Sequence, residues 1–247
     1  EEQADNTMVR IVLYNIAEKQ QYYLTTDRAN SMDPKWSHDG RFIYFLSDRS
    51  FTSLVGSPWG SRQPEPYFDA KIKLYHTPLQ RGTRSPFRPG DELYKAPSTD
   101  SDDKDAGEVN VVVDTEGIQE RLAEVPIPAG NYRNLSVAGE TIYMEERTTG
   151  LKAKTHLKGL KIGNENPELN TIVSDIRNYQ LSGNGEKILV RKGSKFYMIK
   201  AGNAEVKDLG ENEVSLEDWK FPITPREEWR QIYTDAWRME RDYFYDK

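Results

Sequence analysis

The chain carries three histidines, His38, His76 and His156, and no cysteine. Without a thiolate, disulfides and cysteine-ligated metal sites are excluded. The histidines are far apart in sequence, and no two have the spacing of a helical ligand pair. His38 falls in a turn and is expected in solvent. His76 and His156 fall in third strands of repeated units and are expected to point outward or toward a pore. Asp100, Asp102, Asp103 and Asp105 crowd one segment. They lack the alternating ligands, with a following glycine and a distal glutamate, of a calcium loop, so the segment reads as a solvated loop. Lys71, Lys73, Arg81, Arg84 and Arg88 form a basic stretch close by. Peptide carboxylates would suit it, but the simpler expectation is a solvated loop paired with the acidic run. Gly56-Ser57-Pro58-Trp59-Gly60 does not fit the Gly-x-Ser-x-Gly nucleophile elbow. No nucleophile lies beside an evident base, so no catalytic, cofactor-binding or metal-binding residue is expected, and no cofactor.

The most ordered signal is a repeated phrase. Ser37-His38-Asp39-Gly40-Arg41-Phe42-Ile43, Ser136-Val137-Ala138-Gly139-Glu140-Thr141-Ile142 and Ser182-Gly183-Asn184-Gly185-Glu186-Lys187-Ile188 share the frame Ser-x-x-Gly-x-x-Ile. An apolar residue precedes each serine: Trp36, Leu135 and Leu181. The frame reads as a strand, a turn and a second strand. Glycine supplies the positive φ of the turn, and the serine hydroxyl bonds the turn backbone two or three residues on. The spacing from Ser136 to Ser182 matches the roughly 40–50 residues of one propeller blade. The spacing from Ser37 to Ser136 is more than twice as long, which places an insertion at 48–107, where Pro, Gly and charge accumulate.

Strands are expected at Val9–Ile16 and Gln21–Thr26. The first unit then follows with Pro34–Ser37, Arg41–Ser47, Lys71–Thr77 and Val109–Val113. The second unit takes Arg133–Val137, Thr141–Arg147, Thr155–Ile162 and Asn170–Asp175. The third takes Tyr179–Ser182, Lys187–Arg191, Lys195–Lys200 and Glu205–Leu209. Four short strands per unit is blade architecture. After residue 222 the period changes. Thr224-Pro225-Arg226-Glu227 opens a helix over 225–245, with Thr as N-cap and Pro in the first turn. Trp229, Ile232, Tyr233, Ala236, Trp237 and Phe244 share one greasy face. The fold class is therefore all-β: a partial β-propeller of about three to four four-stranded antiparallel blades over 1–222, then a helix within 223–247. The bare apolar face should fold back on the blades or pair with another copy, and with the open blade edges it predicts self-association.

Bulk composition narrows the partners. The formal net charge is −6, from 34 Lys+Arg against 40 Asp+Glu, which argues against nucleic acid, because phosphate binding needs clustered positive charge. No apolar run approaches the roughly 20 residues that span a bilayer, so no membrane partner is expected. Glu1-Glu2-Gln3-Ala4-Asp5 has no signal-peptide character.

Three stretches together resemble one family. Asp33-Pro34-Lys35-Trp36-Ser37-His38-Asp39-Gly40-Arg41-Phe42-Ile43-Tyr44-Phe45-Leu46-Ser47-Asp48-Arg49 is similar to any TolB-type blade. Asp114-Thr115-Glu116-Gly117-Ile118-Gln119-Glu120-Arg121 with Val125-Pro126-Ile127-Pro128-Ala129-Gly130-Asn131-Tyr132 resembles the second propeller of tricorn-type serine peptidases. Pro225-Arg226-Glu227-Glu228-Trp229-Arg230-Gln231-Ile232-Tyr233, Ala236-Trp237-Arg238 and Arg241-Asp242-Tyr243-Phe244-Tyr245-Asp246 resemble the start of their protease core. The resemblance implies an oligomeric peptidase that hydrolyses short peptides, cytoplasmic, with a periplasmic or secreted location as the alternative. In it a PDZ domain and a split protease core accompany two propellers, and the second propeller guides or filters peptides. The catalytic His and Ser of that family lie downstream of the Arg-Asp-Tyr-Phe-Tyr-Asp segment, so none is expected here. The family's second propeller has more blades than the three repeat phrases. Two other readings compete: a free-standing TolB-type interaction module, and the propeller of a prolyl-oligopeptidase-type enzyme.

Overall fold

The computed structural model describes residues 1–50, 69–90, 109, 111–164 and 167–245. Gly56-Ser57-Pro58-Trp59-Gly60, the acidic run Asp100–Asp105, Asp246 and most of the 48–107 insertion lie outside the described residues. By its internal contacts the chain forms two compact units, Glu1–Val214 and Ser215–Lys247.

The first unit is a series of antiparallel sheets. β1 (Glu2–Gln3) pairs with β2 (Val9–Arg10), and β3 (Val12–Asn15) pairs with β4 (Gln20–Tyr23). The next sheet runs in the order β5 (Ser31–Trp36), β6 (Phe42–Ser47), β7 (Lys73–Pro78), β8 (Ala123–Glu124). Another contains β9 (Tyr132–Ala138), β10 (Thr141–Arg147), β11 (Thr155–Lys161) and β12 (Leu169–Ile176). The last contains β13 (Asn178–Leu181), β14 (Lys187–Lys192) and β15 (Lys195–Lys200). The first two repeat units are the expected four-stranded meanders, the third has three strands, and among the described residues strand pairing does not close the series.

The repeat frame sets the packing. Gly40, Gly139 and Gly185 all sit between first and second strands at φ of +67°, +52° and +71°. Ile43, Ile142 and Ile188, three residues later, are 2%, 0% and 0% exposed. Each faces the sheet before its own. Ile43 and Phe45 pack with Ile11 and Leu24; Ile142 and Met144 with Tyr44 and Leu46; Ile188 and Val190 with Tyr143 and Leu157. Strand alternation turns the intervening residues to the other face, so every second strand is buried on both sides where it has two neighbours.

The turns differ in detail. The Ser37 hydroxyl accepts from the Arg41 and Phe42 amides, at 3.1 and 2.9 Å, and the Ser182 hydroxyl accepts from Lys187 at 2.9 Å. Ser136 does not act this way. β9 continues to Ala138, which pairs with Thr141, so the turn is two residues long and Ser136 lies within the strand, opposite Tyr143.

Two expected fourth strands are corrected. Val111–Val113 form no strand; the edge of β7 is taken by Ala123–Glu124, and the Val125 amide then donates to the Leu74 carbonyl. The valines serve another purpose. A Cβ on Gly40 would lie 2.7 Å from Val109 Cγ1 and 2.9 Å from Val111 Cγ2, and Val113 packs on the core around Ile11. Glu205–Leu209 form no strand either. The Val206 amide donates to Ile172 in the preceding sheet, and Val206 and Leu209 cover that core instead. The edge of β15 bonds to Glu213–Val214.

The second unit contains α1, Pro225–Tyr243. Thr224 stands at the N-cap, but its hydroxyl makes no capping bond; its carbonyl accepts from Glu227 and Glu228. Trp229, Ile232, Tyr233, Trp237 and Phe244 are all more than half exposed.

Candidate functional site

The first strands of the blades, β5, β9 and β13, carry the polar cluster most completely built. β5 and β9 each bulge where they pair with their second strands. The bulged residues are Asp33 and Asn134, both at φ +55°. Asp and Asn tolerate this left-handed conformation better than other side-chain-bearing residues. The bulges turn the two residues toward each other, and the Asn134 amide donates to Asp33 Oδ2 at 2.8 Å.

Glu145 of β10 lies beneath this contact and is 2% exposed. Its Oε2 accepts from Arg133 Nε at 2.8 Å, and its Oε1 accepts from Asn134 Nδ2 at 3.0 Å and the Tyr179 amide at 3.4 Å. The Tyr179 hydroxyl donates to the Asn134 carbonyl at 2.6 Å, and burial raises its pKa. One carboxylate thus ties β9 to β10 and to β13 of the next blade. A buried carboxylate needs such donors, because a charge without them is strongly disfavoured in the interior. Toward solvent, the same strands present Lys35 and Trp36, then Arg133 and Asn134, then Asn178 and Gln180. The surface mixes cations, amides and an aromatic ring; its chemistry is hydrogen bonding, with no nucleophile poised against a base. Replacing Glu145 with Gln is expected to lower stability by about 1–3 kcal/mol, because an amide cannot satisfy three donors with its own NH2 group among them. Urea unfolding of the two proteins checks this.

The histidines are separated. His38 is exposed in its turn, as expected. His76 is not outward or pore-facing: it is wholly buried. Its ring lies 5.8 Å from Phe42, 6.1 Å from Tyr44 and 5.6 Å from Phe87. The reason is the segment after β7, which folds back and lays Phe87 over the strand. Burial lowers the His76 pKa to about 4, opposed only by the Ala123 backbone. His156 is half-buried. Among the described residues no three His, Asp or Glu side chains are grouped to hold a metal.

The basic stretch divides. Lys73 pairs with Glu124, Lys71 is exposed, and Arg81, Arg84 and Arg88 join Arg41 around one cavity. Glu145 and Tyr179 were not singled out in the sequence. The available signal was a carboxylate inside the apolar run Ile142-Tyr143-Met144-Glu145, on the face that alternation shares with Tyr143.

Comparison with known proteins gives these strands a context. The family model described as "Tricorn protease second beta propeller domain" matches residues 1–202. Tricorn protease homolog 1 of Streptomyces coelicolor is 23% identical over 88% of this chain and 22% of its own length. Tricorn protease of Thermoplasma volcanium is 22% identical over 96% of this chain and 22% of its own. The crystal structure of the tricorn protease superposes with a TM-score of 0.73 at 19% identity, covering 100% of this chain and 23% of that one. The chain thus spans about a fifth of the length of these relatives. With the model matched across every sheet described above, the chain belongs to the family of tricorn protease second β-propeller domains.

Proposed function

We propose that this chain is a non-catalytic propeller segment of a tricorn-like serine peptidase that degrades short peptides, and that it guides or filters peptides toward an active site held elsewhere in the parent protein. The observation that carries the reading is the family match over residues 1–202. The exposed row on β5, β9 and β13 supports it, since mixed charge, amides and backbone groups suit varied peptides better than one tight ligand. In this reading residues 1–222 are the propeller segment and residues 223–247 begin the protease core. The partners are peptides, the core and PDZ domain of the parent, and further copies of the same protein in a cytoplasmic homo-oligomer.

Two measurements test it. With fluorogenic tri- and tetrapeptides the chain is expected to show no turnover; turnover lost on replacing one of its own serines overturns the non-catalytic reading. Unlabelled peptides of the same length are expected to shift backbone NMR signals of Lys35, Asn134 and Gln180. Peptides that leave all three unmoved would remove the guiding role. Self-association is expected by light scattering, weakening when Trp229 and Trp237 are both changed to Gln. A strict monomer at every concentration counts against α1 as an assembly surface.

A further inference from the structure

The segment that follows β7 gathers a second chemistry, away from the row of first strands. Arg41, Arg81, Arg84 and Arg88 line a cavity of about 490 Å³. Thr83, Ser85 and Asn164 add hydroxyl and amide groups to its wall, and Asp39 is the one carboxylate among its described lining residues. Three of the four arginines come from one short loop, so what holds that loop decides whether the cavity is built.

It is held at both ends. Phe87 is 4% exposed and seats between the rings of Tyr44 and His76. At the other end the Arg121 guanidinium donates to the carbonyls of Pro78 and Leu79, each at 3.2 Å, to Glu116 at 3.1 Å, and to Asp114. The Arg81 amide donates to Asp114 Oδ2 at 2.8 Å, and its guanidinium pairs with Glu116 at 2.6 Å. At the Phe87 end the Arg88 amide closes a turn on the Ser85 carbonyl. Arg41 projects from the neighbouring repeat turn, its guanidinium 6.0 Å from the Phe42 ring centroid. The backbone carrying the guanidinium groups is therefore fixed before any ligand arrives, which lowers the ordering cost of binding.

We propose that this cavity is an anion site that takes the carboxylate side chains of an acidic peptide. Guanidinium groups meet carboxylates through paired, charge-assisted hydrogen bonds, and several of them around one cavity favour a ligand with more than one negative group. A nucleic acid fits less well. It needs an extended basic track, whereas these arginines gather at one cavity with Asp39 in its wall and with Asp114 and Glu116 bonded to Arg81, in a chain of net charge −6. The peptide class of the ligand rests on the function proposed above; the anion site itself does not. The chain supplies a competitor of the same chemistry in Asp100, Asp102, Asp103 and Asp105, a short way along from Arg88.

The test is fluorescence anisotropy with a labelled, C-terminally amidated peptide of alternating Asp and Glu. The matching Asn/Gln peptide, inorganic phosphate and a short oligothymidine are the other arms. The proteins are the chain itself, R41Q/R88Q, a variant with the four aspartates of the acidic run changed to Asn, and the two sets combined. Thermal midpoints establish that each folds. The acidic peptide is expected to bind the chain or its Asp→Asn variant, about tenfold more weakly once R41Q/R88Q is added, while the Asn/Gln peptide does not bind. The inference is overturned by absence of binding to both proteins, by affinity unchanged in R41Q/R88Q, or by oligothymidine binding more tightly. Phosphate binding without peptide binding also overturns the peptide as ligand. Neutral tri- and tetrapeptides shifting Lys35, Asn134 and Gln180 while the acidic peptide fails would leave the guiding role standing and remove only this site.

Discussion

Replacing Ile188 with alanine is expected to destabilise the protein by about 2–5 kcal/mol, the range for deleting a fully buried aliphatic side chain that leaves a cavity. Ile188 is 0% exposed. It packs with Tyr143, Leu157, Ile172 and Val173 of the preceding sheet as well as with Val190 and Ile199 of its own. The loss would therefore loosen the contact between two blades and not only one hairpin. Leu189 is the internal control. It is the next residue on the same strand, points to the opposite face and is only partly buried, so its replacement by alanine is expected to cost about 1 kcal/mol. Urea denaturation of the three proteins gives the comparison. Equal costs at the two positions would mean that the face turned toward the previous sheet is not the one that holds the blades together. That result would remove the common role argued for Ile43, Ile142 and Ile188.

The contrast between those isoleucines and the fourth strands marks how far the sequence reaches. A blade opening is local. Asp39-Gly40 or Asn184-Gly185 sets the turn, a serine hydroxyl ties it, and alternation decides which side chain faces inward. All of that lies within a dozen residues, so it can be read. The outermost strand is not local. Ala123–Glu124 is two residues long and closely followed by Pro126 and Pro128, so nothing in its composition marks it as a strand. It becomes one because the chain returns to the edge of β7 at Tyr75–His76. The segment 109–113 has better strand composition, but Val109 and Val111 lie beside Gly40 and Val113 packs on the core around Ile11. The polar cluster on the first strands was hidden for the same reason. Glu145 draws its donors from Arg133 and Asn134 at the β9 bulge and from Tyr179 on the first strand of the next sheet, more than forty residues along the chain from Asn134. Only the misplacement of a carboxylate in an apolar run hinted at it. The basic stretch was legible as charge, but its division between an ion pair at Lys73 and a cavity at Arg81–Arg88 depends on where Phe87 is buried.

Acidification should weaken the protein through His76. The ring is wholly buried among Phe42, Tyr44 and Phe87, and neither nitrogen has a hydrogen-bond partner at ordinary geometry among the described residues. Burial disfavours the imidazolium and lowers the pKa from 6.5 to about 4, with the Ala123 backbone favouring the charged form too weakly to compensate. The sign follows from where the proton binds. About a pH unit above 6.5 the ring is essentially neutral in both states and exerts little pH dependence. Between about pH 6.5 and 4 the unfolded chain takes up a proton that the folded chain refuses, so stability falls as pH falls. Below about pH 4 the folded ring protonates too and the loss levels off, at about 3 kcal/mol from this group. His76→Phe separates this term from the carboxylates that also titrate in acid. It keeps an aromatic ring in the pocket, removes the titration and leaves no unpaired ring nitrogen, so at pH 7.5 it should cost little. The measurement is the free energy of unfolding in urea at pH 7.5, 6.0 and 5.0 for both proteins. The parent is expected to lose about 2 kcal/mol more than His76→Phe over that interval. Parallel pH profiles would mean that the ring is already charged or hydrated in the folded state, and that the cover provided by Phe87 opens to water.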